Sequence, residues 1–147
     1  MTSPITAVDT SVIVSGLFSW HKDHAAASAA LVELLEGKSE VILPLTSLIE
    51  SYAVMTRLPP PHRISAKDAL ELLEGSFKSR SILIGLEGEE GWDLLRDLSQ
   101  RNLFGGTSYD GLILTCARKG GAKRILTFNR SDFERVATPD IEIVVPA

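Results

Sequence analysis

The sequence has few features that could form a disulfide or attach the chain to a membrane. Cys116 is the single cysteine among 147 residues, so no disulfide can form within the chain. There is no apolar run near the ~20 residues that a membrane-spanning helix needs. Residues 1–4 lack the basic stretch and apolar core of a secretory signal. We therefore expect a cytoplasmic protein with no membrane anchor.

Positive charge is also in short supply. The chain has 15 Lys and Arg against 19 Asp and Glu, a formal net charge of −4, which does not favour binding of a polyanion such as nucleic acid. If four of the acids form a cation site, the remaining acids and bases are equal in number. Bases are concentrated in residues 118–135 and acids in residues 87–97. This asymmetry is compatible with a basic flank beside a site, and equally with two solvated surfaces of opposite sign.

Short apolar segments alternate with helical segments along the whole chain. Strands are predicted at residues 5–8, 41–43, 81–86, 124–127 and 141–145. A short helix or tight turn is predicted at 11–18, and helices, with their caps, at 24–35, 46–57, 65–77, 89–100, 107–119 and 131–135. The predicted N-caps are Thr46, Ser65 and either Thr107 or Ser108. This alternation predicts one α/β domain with a parallel sheet that is covered by helices on both faces.

The helix predicted at residues 89–100 carries a distinct apolar stripe. Trp92, Leu95 and Leu98 are spaced to share one face of this helix. We expect that face to pack against the rest of the domain.

Four acidic residues stand at corresponding places in this pattern. Asp9 ends the first strand, and Glu50 lies early in the helix after the second strand. Asp110 is in the first turn of its helix, and Asp132 comes shortly after the fourth strand. The carboxyl ends of parallel strands share one edge of a sheet, where ligands bind at the point at which the strand order reverses. We therefore expect the four carboxylates to converge there.

Converging carboxylates favour a divalent cation. They repel one another and raise each other's pKa unless a cation lies between them. Mg²⁺ and Mn²⁺ prefer such oxygen ligands and retain several waters. A cation of this kind suits phosphodiester hydrolysis, because it orients and acidifies a water and stabilises charge on phosphorus. Taken singly, each acid is an ordinary loop, cap or surface residue, so the prediction depends on all four together.

The same residues lie in four segments that resemble, in order, the motifs of a nuclease family. Residues 8–14 (VDTSVIV) and 47–52 (SLIESY) resemble the first two motifs of PIN-domain nucleases. Residues 108–117 (SYDGLILTCA) and 124–133 (RILTFNRSDF) resemble the third and fourth. The likeness runs nearly from end to end, and the length resembles that of VapC-type ribonuclease toxins of type II toxin–antitoxin pairs.

The resemblance implies a fold and an activity. The fold would be a single PIN domain over residues 1–147, a three-layer α/β/α structure with about five mainly parallel strands. The activity would be Mg²⁺-dependent endoribonuclease cleavage of RNA, with Mn²⁺ as an alternative cation. The partners would be a small antitoxin protein and, in a homodimer, a second copy of the chain.

The resemblance also implies residue roles. Asp9 and Asp110 would be the principal metal ligands, and Glu50 would bind or position the metal through water. Asp132 would complete the acidic cluster. The hydroxyls that would hydrogen-bond the ligands or a phosphate belong to Thr10, Ser11 and Thr127.

One position departs from the family pattern. Family members often have Asp where this chain has Asn129, three residues before the Asp132–Phe133 pair. An amide cannot supply that charge, so either Asp132 takes the role or a second metal binds weakly. The departure motivates an alternative in which the chain is a catalytically weak PIN-like module that binds RNA or protein.

Two further interpretations remain open. A phosphatase or phospho-accepting receiver domain also places Asp at a strand end, but this chain has no second Asp two residues after Asp9 and no Lys closing the final strand.

Trp20 and His21 follow the first helix near the predicted edge, where they either contact substrate or simply pack. His24 is expected to be a packed or hydrogen-bonded helix residue.

Overall fold

The computed structural model describes residues 3–147 and is built on a five-stranded sheet. The strands are β1 (Thr6–Val8), β2 (Val41–Pro44), β3 (Ile82–Ile84), β4 (Arg124–Leu126) and β5 (Glu142–Val144). Their order is β3-β2-β1-β4-β5, and every neighbouring pair is parallel. The predicted parallel α/β architecture is confirmed.

Seven α-helices lie within the described part of the chain. They are α1 (Thr10–Leu17), α2 (His24–Glu36), α3 (Leu45–Arg57), α4 (Ala66–Leu73), α5 (Gly88–Gln100), α6 (Thr107–Lys119) and α7 (Arg130–Glu134). One π-helical turn, Glu74–Lys78, continues α4. No helix among residues 3–147 combines the length and apolarity needed to cross a bilayer.

Alternating side chains of the strands pack into two separate hydrophobic cores. Val8 and Leu126 belong to the core beneath α1–α4. Ala7 and Ile125 belong to the core beneath α6 and α7. Because successive strand residues point to opposite faces, the sheet is buried between two helical layers. This three-layer arrangement agrees with the predicted fold class.

Two of the three predicted N-caps are wrong. The N-cap of α3 is Pro44 and that of α6 is Gly106, and neither provides a side-chain bond. Thr46, Thr107 and Ser108 therefore lie inside the first helical turns. The fixed φ of Pro44, −61°, suits both the end of β2 and an immediate entry into α3. Only Ser65 caps as predicted, accepting a hydrogen bond from the Asp68 amide at 3.1 Å.

The third strand is shorter than predicted. It ends at Ile84, which pairs with Pro44, the last residue of β2. Because β2 offers no residue beyond Pro44, the segment after Ile84 has no ladder to join. The predicted extension to residue 86 is therefore absent.

The apolar face of α5 is mostly solvent-exposed. Leu98 is buried, whereas the side chains of Trp92 and Leu95 are 60% and 55% exposed. The helix approaches α6 at Gly111, where an added Cβ would lie 3.1 Å from Leu98 Cδ2. The prediction that the whole stripe is packed is wrong, because α5 lies outside the main layers and buries only its inner edge.

The strand order reverses between β1 and β4. The chain runs outward through β2 and β3 on one side of β1, and through β4 and β5 on the other. The amide of Asp9, directly after β1, donates to the carbonyl of Leu126 at 3.0 Å. The residues that follow β1 and β4 therefore meet at the position where α/β sheets bind ligands.

Candidate active site

Asp9 is a buried carboxylate with a fixed orientation. Its residue is 3% exposed. Its Oδ2 accepts hydrogen bonds from Ser11 Oγ at 2.8 Å and from Thr127 Oγ1 at 2.7 Å. Thr127 follows β4, so the carboxylate is held from both strands that border the reversal of strand order.

Backbone amides orient the two hydroxyls. The Phe128 amide donates to Ser11 Oγ at 3.0 Å, and the Asn129 amide donates to Thr127 Oγ1 at 2.9 Å. Each hydroxyl has one hydrogen, so an amide bonded to its oxygen leaves that hydrogen for Asp9. Both hydroxyl bonds end on Oδ2 of Asp9, which leaves Oδ1 without a side-chain donor among residues 3–147.

Asp9 opens into a cleft of about 650 Å³. Two other predicted acids line it: Glu50, which α3 projects from its second turn, and Asp110, from the first turn of α6. Among the predicted hydroxyl and amide residues, Thr10, Ser11 and Asn129 also line it, whereas Thr127 is fully buried behind Asp9.

The carboxylates influence one another electrostatically. The pKa of Asp110 is raised to about 6, first by burial and then by the charges of Asp9, Asp132 and Glu50, while Arg135 acts in the opposite direction. Burial also raises the pKa of Asp9, against the lowering effect of its hydrogen bonds from Thr127 and Ser11. The cleft therefore holds more negative charge than its surroundings neutralise.

Asp132 lies outside the cleft. It is exposed on α7, although its charge still raises the pKa of Asp110. Its neighbour Phe133 is fully buried and packs beneath the sheet. Asn129, at the N-cap of α7, lines the cleft instead. Of the four predicted acids, three share the cleft and the fourth stands at its periphery.

The residues present fit a hard divalent cation. Oxygen donors predominate in the cleft, and Thr10 Oγ1 is buried without a hydrogen-bond partner. Within residues 3–147, however, no three His, Cys, Asp or Glu side chains already form a closed ligand group. Such an open arrangement suits Mg²⁺, which usually takes one or two carboxylates and keeps several waters.

The loop between α1 and α2 also lines the cleft. His21, Lys22 and Asp23 all line it. His21 was one of the residues whose role the sequence left open, whereas Lys22 and Asp23 were missed. Their position after α1, which itself follows β1, was the available signal. His24, expected to be hydrogen-bonded, has Nδ1 3.0 Å from the Ser15 carbonyl.

Known proteins resemble this chain in sequence and in fold. The family model of the PIN domain matches residues 6–139. Ribonuclease VapC40 of Mycobacterium tuberculosis is 34% identical over 140 residues, covering 94% of this chain and 98% of that protein. The crystal structure of M. tuberculosis VapC20, described as a Sarcin-Ricin loop cleaving toxin, has a TM-score of 0.70 at 14% identity and covers 93% of this chain and 98% of that one. VapBC2 from Rickettsia felis, solved bound to a DNA fragment from their promoter, has a TM-score of 0.66 at 19% identity, with 97% and 99% covered.

Proposed function

The chain belongs to the PIN domain family, and from this premise we propose that it is an endoribonuclease that hydrolyses RNA phosphodiester bonds with Mg²⁺ or Mn²⁺. The observation that carries the proposal is the gathering of Asp9, Glu50 and Asp110 in one cleft at the reversal of strand order. The similarity to ribonuclease VapC40 over almost the whole chain supports RNA as the substrate.

The residues of the cleft would hold the cation in different ways. Asp9 presents Oδ1, because Ser11 and Thr127 occupy Oδ2. Asp110 would provide the second carboxylate, and Glu50, which is exposed on α3, would hold a cation-bound water. When bound, the cation supplies an activated water and stabilises charge on phosphorus. Asp132 would contribute from the periphery through its charge, and Asn129 would contribute within the cleft through its amide.

The fixed orientation of Asp9 is the main contribution of the protein scaffold. Hydrogen bonds behind a metal ligand set its direction. Here those bonds come from residues 11 and 127, which the fold brings from two neighbouring strands. Asp9 would therefore hold a cation in a fixed position relative to the edge of the sheet.

We also propose that the chain acts as a toxin in the cytoplasm, as a homodimer that a small antitoxin protein neutralises. Its similarity to VapC40 supports this role, as does the extent of its match to the VapC fold. The exposed apolar side chains of Trp92, Leu95, Phe104 and Tyr109, each more than half exposed, are compatible with association of the chain with protein partners.

Cation-dependent RNA cleavage is the direct test. Purified chain should cut single-stranded RNA with Mg²⁺ or Mn²⁺ and stop when EDTA is added. Asp9→Asn should lose more activity than the about 10–100-fold typical of residues that only orient a ligand. Glu134→Gln, an exposed change on α7 outside the cleft, is the matched control. Equal cleavage by Asp9→Asn and the parent would show that the cleft is not the active site.

A catalytically weak binding module is the second candidate. It is favoured by the amide of Asn129 in the cleft, where family members often carry a carboxylate, and by the lack of a closed ligand group. Calorimetry distinguishes the two candidates. Mn²⁺ binding that is lost in Asp110→Asn supports the nuclease, whereas RNA affinity without any Mn²⁺ binding supports the module.

A further inference from the structure

Part of the cleft is lined by a loop whose side chains the proposed chemistry does not use. We call residues 18–23 the rim loop. His21, Lys22 and Asp23 of this loop line the same cleft as Asp9, Glu50 and Asp110. RNA that enters the cleft would therefore meet both the carboxylates and the rim loop.

The rim loop has a defined shape. The His21 amide donates to the Phe18 carbonyl at 3.1 Å, and the His24 amide donates to the His21 carbonyl at 3.0 Å. Trp20 stacks on Phe18, with centroids 5.6 Å apart, and on His62, with centroids 4.1 Å apart. Phe18 is buried in the core. The loop is thus attached both to the core and to the segment after α3, and it presents its side chains in fixed positions.

The tautomer of His21 follows from a single hydrogen bond. Its Nδ1 accepts from the Asp23 amide at 3.1 Å. A ring nitrogen that accepts carries no proton, so in the neutral ring the hydrogen is on Nε2. The ring also lies 5.8 Å from Trp20, tilted by 40°, which limits its rotation. His21 therefore offers the cleft a donor, and the bond that sets this donor comes from Asp23.

The charges of the rim loop favour a base over a phosphate. Lys22 and Asp23 are consecutive and carry opposite charges, so together they add no net positive charge that would attract a phosphate. The rim loop does offer donors, His21 Nε2 and Lys22 Nζ, together with an acceptor, the Asp23 carboxylate. Unpaired RNA bases are recognised by such side chains through hydrogen bonds on their edges.

Guanine matches this combination of groups best. Its Watson–Crick edge has two adjacent donors, N1–H and N2–H, which a carboxylate accepts together, and its O6 accepts from a donor such as His21 or Lys22. Adenine and cytosine each lack part of that pattern, and uracil has only one such donor. We propose that the rim loop is a specificity site for an unpaired guanine next to the cleaved phosphate, with Asp23 as the principal reader and Trp20 as a positioning residue. The choice of RNA as ligand rests on the proposed ribonuclease function.

Binding without cleavage tests this site separately. Fluorescence anisotropy in EDTA would use short oligouridylate probes that carry one guanosine, one adenosine or neither. A carboxylate that bonds two base atoms discriminates by about tenfold. The parent should therefore bind the guanosine probe about tenfold more tightly than the adenosine probe, and Asp23→Asn should reduce this ratio to near one. Asp68→Asn, an exposed first-turn acid of α4, is the matched control and should keep the full ratio.

Three further variants examine the donor and the scaffold. His21→Gln keeps an amide donor near the position of Nε2 and should retain most of the guanosine preference, whereas His21→Phe should lose it. Trp20→Ala should reduce the ratio while Mn²⁺ binding at the carboxylates is unchanged. Sequencing the ends produced from a randomised RNA pool would show a guanine enriched at one fixed position in the parent and not in Asp23→Asn.

The outcomes separate the two proposals. If the guanosine ratio depends on Asp23 but no RNA is cut with Mg²⁺ or Mn²⁺, the specificity site stands and the nuclease proposal fails. If RNA is cut but guanosine and adenosine probes bind equally, or Asp23→Asn leaves their ratio unchanged, the specificity site is overturned. Failure of the parent to bind any RNA probe also overturns it.

Discussion

The two sides of the carboxylate group are built differently. On the strand side, Asp9 is buried and held by hydroxyls that backbone amides orient in turn. On the helix side, no side-chain hydrogen bond among residues 3–147 holds Asp110 or Glu50. On the strand side the carboxylate is therefore oriented before any cation binds. On the helix side the negative charge stays unneutralised until a cation binds. The residues that follow the strands thus fix the orientation of one carboxylate, and the helices contribute negative charge that nearby residues do not fully neutralise.

Neutralising the helix side should have the largest effect on activity. Asp110→Asn removes a proposed cation ligand, and we expect RNA cleavage to fall by more than about a hundredfold. The free energy of unfolding without cation should rise by about 1 kcal/mol at neutral pH, because the raised pKa marks an unfavourable charge that solvent partly screens. Cleavage assays and denaturant titration measure the two quantities, and a less stable variant would contradict the charge-storage account.

Breaking the strand side should reduce activity less and should change stability in the opposite direction. Thr127→Val removes a donor to Asp9 and leaves the Asn129 amide without its acceptor. We expect about 10–100-fold slower cleavage and a loss of about 1–3 kcal/mol in unfolding free energy.

The control for this change is Thr115→Val, which removes a hydroxyl bonded to the Gly111 carbonyl within α6. It should leave cleavage unchanged. Similar activity in the Thr127 and Thr115 variants would show that the hydroxyls behind Asp9 do not matter to the site.

The pH dependence of cation binding tests the stored charge directly. The pKa of Asp110 is raised to about 6, so protons compete with the cation below that pH. Mn²⁺ affinity measured by calorimetry should fall by about tenfold for each pH unit below about 6 and level off above it. In the Asp110→Asn chain, the remaining binding should not show this step near pH 6.

The free energy of unfolding without cation should change with pH in the opposite direction to the Mn²⁺ affinity. The pKa of Asp110 is higher in the folded than in the unfolded chain, so the folded chain binds its proton more tightly. Its contribution therefore favours folding below the ordinary pKa of 3.8 and is lost as the pH rises to about 6. The Asp110→Asn chain should lack this part of the pH profile in denaturant titrations.

The smallest effect is expected at the periphery. Asp132 acts on the cleft only through its charge on Asp110, so Asp132→Asn should slow cleavage by only a few-fold, since partly exposed charges are screened. A loss as large as that of Asp110→Asn would mean that α7 moves Asp132 into the cleft when RNA or cation binds.

The parallel sheet and the convergence of Asp9, Glu50 and Asp110 were within reach of the sequence, because strand ends share one edge whatever the details of packing. The bonds that orient Asp9 were not, since Thr127 Oγ1 reaches it across 118 residues of chain. The caps of α3 and α6 were misplaced because Pro44 and Gly106 begin these helices without a side-chain bond. Local spacing also cannot show that Asn129 rather than Asp132 of the fourth motif lines the cleft, because this depends on how α7 packs through the buried Phe133.

A crystal of the chain soaked in Mn²⁺ would test the central claim most directly. Anomalous diffraction locates the cation without reference to activity. We predict a peak about 2 Å from Oδ1 of Asp9 and from a carboxylate oxygen of Asp110, with Glu50 reached through water. A peak elsewhere in the molecule, or none at these carboxylates at saturating Mn²⁺, would contradict a cation-dependent active site in this cleft.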